Sequence, residues 1–90
     1  MTAACIMAAK SEYREGRYEA ARARAMTLLD RLPRSGYADA ALYIIILSEF
    51  RLGRYDIAAS NIVTLLQTHP HSGLGERARS LFGVITASYL

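Results

Sequence analysis

Ninety residues, 52% apolar and 21% charged with a formal charge of +3, make one domain with enough to bury, not a disordered tail. No apolar run approaches the roughly 20 residues of a bilayer-spanning helix; the longest, Ala40 to Leu47, falls far short, so no membrane span is expected. The lone Cys5 excludes an internal disulfide and reads as a small buried hydrophobe. A chain this short hides only about 60% of its unfolded surface, so regular packing or a partner has to supply the rest.

The first segment, Met1 to Lys10, has no basic region ahead of its apolar residues and does not read as a complete secretory signal. A cytoplasmic home follows if Met1 is the native start, and an envelope home if the chain is a piece of a longer one. The excess of basic residues lies between Lys10 and Arg34, where Glu12, Glu15, Glu19 and Asp30 are interspersed. Glu15 and Glu19 sit about one helical turn from Arg14, Arg17 and Arg22, which predicts a solvated, self-paired face. That mixture argues against a nucleic-acid partner, whose reader concentrates its cations.

The chain then matches itself at a shift of 37 residues. Ser11-Glu12-Tyr13-Arg14-Glu15-Gly16-Arg17-Tyr18 returns as Ser48-Glu49-Phe50-Arg51-Leu52-Gly53-Arg54-Tyr55, and half of the 26 positions from Ser11 to Gly36 are identical to their counterparts. Each copy reads as a helical hairpin. From Tyr18 the apolar positions Ala21, Ala25, Leu28, Leu29 and Leu32 follow a spacing of three and four, and Tyr55, Ala58, Ile62, Leu65 and Leu66 repeat it. Gly16 and Gly53 can take the left-handed conformation that closes the preceding helix. Pro33 and Pro70 stop the second helix of each pair, and Ser35 and Ser72 are placed to cap the next one. Asp39 and Glu76 then suit the positive end of its dipole.

Five helices are predicted, over 3–15, 18–32, 38–52, 55–68 and 75–89. The β-branched run Leu42 to Leu47 could be a strand on composition. Its counterpart Cys5 to Lys10 is alanine-rich, however, and both copies end in the same Ser-Glu-aromatic-Arg-x-Gly stop, so helix is expected. Repeat 1 spans about 1–35, repeat 2 about 36–72, and a half repeat or capping helix about 73–90.

These residues resemble the tetratricopeptide repeat family over nearly the whole chain. The family's Gly-x-Tyr-x-x-Ala junction stands at Gly16, Tyr18 and Ala21 and again at Gly53, Tyr55 and Ala58, with the terminal proline at Pro33 and Pro70. The 37-residue period exceeds the family's usual 34 and is similar to the longer-turn repeats of bacterial envelope proteins, of the barrel-assembly lipoprotein and Tol-Pal-associated types. The resemblance implies an all-α fold, antiparallel hairpins stacked as a short right-handed solenoid, whose first helices line a concave groove.

Mapping the family's groove positions gives Ile6, Lys10, Tyr13 and Arg14, then Tyr43, Leu47, Phe50 and Arg51, then Arg77 and Ser80. An aromatic and basic surface of this kind suits a segment with apolar anchors and acidic flanks. The implied function is a protein-binding scaffold, adaptor or small chaperone for a peptide or partner subunit. An alternative is a self-assembling subunit that uses the apolar last helix: Leu81, Phe82, Val84, Ile85, Tyr89 and Leu90. No catalytic residue, cofactor or metal is expected. There is no glycine-rich phosphate loop, no Cys-x-x-Cys and no paired carboxylate in an apolar setting, and His69 and His71 lack a third ligand nearby in sequence.

Overall fold

The computed structural model describes residues 2–90. It contains α1 (Thr2–Arg14), α2 (Tyr18–Arg31), α3 (Ala38–Arg51), α4 (Tyr55–Thr68) and α5 (Gly75–Ser88), with no strand among the described residues. Each helix packs against its neighbours in sequence, and α1 also touches α3, within a body of 38 × 29 × 18 Å. The Leu42 to Leu47 run is helical. Leu42, Ile44, Ile45 and Ile46 are all buried, because α3 has helices on several sides.

The two hairpin turns are built alike. Gly16 and Gly53 have φ of 80° and 78°, a region in which a Cβ is strained. The amide of Gly16 donates to the Tyr13 carbonyl and that of Arg17 to the Glu12 carbonyl, at 3.1 and 2.8 Å. Gly53 and Arg54 repeat the pattern on Phe50 and Glu49, at 3.1 and 2.9 Å, so the orphan carbonyls at both helix ends are satisfied by the chain itself. At the far end Leu32 and His69, each just before a proline, leave the helix with nearly the same backbone, φ −133° and −131°.

Ser35 and Ser72 are not N-caps. The helices begin at Ala38 and Gly75, and the N-cap residues are Tyr37 and Leu74. Each serine hydroxyl instead accepts the amide two residues on, Tyr37 and Leu74, both at 3.1 Å, and so shapes the loop. Ser72 also donates to Asp39 at 2.6 Å, tying the α4–α5 loop to the first turn of α3.

The core runs through the stack. Ala21 and Ala58, equivalent positions in the two copies, are both fully buried. Ile45, Ile46, Ile62, Leu65 and Ile85 are the largest fully buried apolar side chains, each stabilising the fold by about 1.5–3 kcal/mol. Two expectations are corrected here. Ile6, assigned to the groove, is in the core at 3% exposure, and Ile85, assigned to an outer surface, is buried at 0%. Leu32 departs from its helix's apolar face and lies exposed, because α2 has ended before it.

Candidate functional site

Several acids on this protein work between helices. Glu12 of α1 accepts both guanidinium arms of Arg24 on α2, at 2.7 and 3.2 Å. Glu49, its counterpart on α3, is fully buried and accepts Arg22 of α2 at 3.0 Å and Asn61 of α4 at 2.8 Å. Arg54 holds Glu19 through two bonds of 2.6 and 3.1 Å, joining the second hairpin to the first. The Arg24 hydrogen bond holds the Glu12 carboxyl below its ordinary value, and Arg54 does the same for Glu19. The Glu12–Arg24 pair lies in an open hollow that also includes Cys5, half-buried against the core.

A second region is the reverse. A groove of about 200 Å³ is walled by Lys10, Tyr13 and Arg14 of α1, floored by Ala40, Tyr43, Ile44 and Leu47 of α3, and closed by Leu74 and Arg77 at the start of α5. Its lining includes no residue of α2 or α4 and no carboxylate. The helical spacing explains the assembly: Ala40, Tyr43, Ile44 and Leu47 fall three and four apart on one face of α3. Arg51 Nε donates to the Tyr13 hydroxyl at 3.1 Å, which raises the guanidinium further above its usual value and fixes the ring at the rim. Burial pushes the Tyr43 hydroxyl up, with Arg77 partly opposing it, so this phenol stays protonated. Lys10, Arg14 and Arg77 make no side-chain hydrogen bond or ion pair with any described residue.

Of the residues read from sequence, Lys10, Tyr13, Arg14, Tyr43, Leu47 and Arg77 come together here, with Arg51 at the rim. Ile6 does not, being core. Phe50 lies outside, edge-on to Tyr55 at 5.6 Å and to Tyr89 at 5.7 Å. Ser80 is exposed and off the groove. Sequence reasoning missed Ala40, Ile44 and Leu74. Ala40 was within reach of it, as the repeat counterpart of Arg77; Leu74 precedes its helix, where periodicity says nothing.

The apolar residues of the last helix are divided between the core and the surface. Leu81 and Phe82 pack against the core beside buried Ile85. Val84 and Leu90 remain open at 48% and 65% exposure, while Tyr89 stacks on Tyr55 with ring centres 4.2 Å apart. Arg79, Gly83 and Thr86, the counterparts of Leu42, Ile46 and Glu49, are exposed. The positions that α3 buries at Leu42, Ile46 and Glu49 are therefore polar or small, and open to water, on α5.

No family model, curated protein or solved structure matches the chain. Among the described residues no helix is long and apolar enough to cross a membrane, and no three His, Cys, Asp or Glu side chains are grouped to hold a metal ion.

Proposed function

We propose that this chain is a non-enzymatic interaction module of the tetratricopeptide kind, which takes a peptide segment or a partner subunit between α1, α3 and α5. One observation carries the reading. Every residue lining the groove comes from the first helix of a hairpin or from the residue leading into one, leaving the second helices to buttress the stack from behind. An apolar floor with polar groups at its edges is the make-up of a surface that anchors a side chain and orients its neighbours. The self-assembly reading has less support, since Leu81, Phe82 and Ile85 are taken up by the core and Arg79, Gly83 and Thr86 are exposed, which leaves Val84, Tyr89 and Leu90 as the exposed large apolar residues of that end.

The test is a selection of random displayed peptides on the immobilised chain, followed by affinity measurement on the enriched sequences. Winners are expected to compete with one another and to lose binding to a chain carrying Tyr43→Ala with Arg14→Glu, while light scattering shows an unchanged particle size. Enrichment of nothing, or winners that bind the double variant as well as the parent, would overturn the reading.

A further inference from the structure

We infer that the occupant of this groove is an acidic peptide segment in which one large apolar side chain lies between carboxylates. The inference rests on the groove reading above and adds the ligand's chemistry. It comes from where the cations find partners. Outside the groove, Arg22, Arg24 and Arg54 each meet an acid, at 3.0, 2.7 and 2.6 Å, whereas Arg31, Arg34 and Arg79 meet none among the described residues. Inside it, Lys10, Arg14 and Arg77 meet none among the described residues, and no acid lines the walls.

Three like charges are thus gathered around an apolar floor, with α1 supplying two from one wall and α5 one from the other. Without a ligand they repel, and an anionic occupant relieves that repulsion while a basic one adds to it. The floor of Tyr43, Ile44 and Leu47 sets the second requirement. At about 200 Å³ it is smaller than the roughly 300–1,000 Å³ of a small-molecule site and suits one anchoring side chain. Cations on both walls then meet carboxylates on both sides of the anchor. A nucleic-acid strand is disfavoured, because one side-chain-sized bay offers no series of stacking platforms.

The experiment is fluorescence anisotropy with labelled peptides: a central phenylalanine flanked on each side by two glutamates, the same peptide flanked by lysines, and the glutamate peptide with alanine at its centre. The glutamate-phenylalanine peptide is expected to bind, and to weaken as salt rises from about 50 to about 200 mM. The lysine and alanine analogues are expected to be at least about tenfold weaker. Arg14→Glu and Arg77→Glu are each expected to weaken binding by about tenfold or more, whereas Arg34→Glu, on a loop away from the groove, changes it less than about twofold. Circular dichroism confirms that each variant is folded.

Equal binding of the lysine peptide, an Arg34→Glu loss as large as that of Arg14→Glu, or tighter binding of an oligothymidylate would overturn the inference. If display selection yields neutral peptides that need Tyr43 while the acidic peptide fails, the charge assignment falls and the groove stands. If neither binds, both fall.

Discussion

The same dipeptide, Ser-Glu, closes α1 and α3, yet it does different work in each. In the first hairpin Ser11 is exposed and Glu12 meets one arginine, whose own side chain is half open to water. In the second, Ser48 and Glu49 are both fully buried, and Glu49 joins α2, α3 and α4 through Arg22 and Asn61. The backbone around both pairs is nearly identical, with the Glu12 and Glu49 carbonyls receiving the same turn amide. Local sequence therefore dictates the turn, and the neighbouring helices dictate what the side chains cost or contribute. α1 has α2 on one side, whereas α3 is covered by helices before and after it.

The sharpest way to break this contrast is Glu49→Ala. The substitution removes the only side-chain partner of Arg22 and of Asn61 among the described residues and leaves a void beneath three helices. Breaking a buried pair from one side costs about 3–5 kcal/mol. Arg22 is a quarter exposed and can turn to water, so a loss of about 2–4 kcal/mol in urea unfolding is expected. Glu12→Ala should lose clearly less. Equal losses would show that the two glutamates are equivalent despite their surroundings.

Much of the fold was legible because its signals are short-range. Gly16 and Gly53 sit at the left-handed turn positions, Pro33 and Pro70 follow the helix ends, and the spacing from Tyr18 and Tyr55 marks the buried face. What failed was whatever depended on depth. Ile6 and Tyr43 are repeat counterparts, yet Ile6 tucks into the core while Tyr43 stays half-buried in the groove lining. A branched aliphatic chain gains from full burial, whereas a phenol does so only with a partner for its oxygen. Ser35 and Ser72 misled for another reason. A serine after a proline reads as a cap, but these loops run two residues further before the helix begins.

Ser48 sharpens the comparison from the other side. Its hydroxyl is buried without a hydrogen-bond partner, so the folded state carries a desolvation penalty that Ser11, in water, does not. Ser48→Ala is expected to stabilise the protein by about 1 kcal/mol, a rise of roughly 4–8 °C in thermal midpoint for a domain of this size. Ser11→Ala should leave the midpoint almost unchanged. A fall in the Ser48→Ala midpoint would mean that the hydroxyl makes a bond in solution.

The smallest effect is a pH dependence from the first hairpin. Arg24 holds the Glu12 carboxyl below 4.5, and Arg54 lowers Glu19 likewise. A carboxyl depressed on folding takes up fewer protons folded than unfolded between its two pKa values. Its contribution is present above the unfolded value and disappears as pH falls through the folded one. The urea midpoint should therefore be flat near neutrality and decline as the solution is acidified past about pH 4.5. Glu12→Gln should shallow that decline, and adding Glu19→Gln should shallow it further. The exposed Glu19–Arg54 pair is screened by salt, so its share should shrink at high ionic strength while that of Glu12, on a nearly buried side chain, persists. A decline as steep in the double variant as in the parent would move the acid-sensitive interaction elsewhere in the stack.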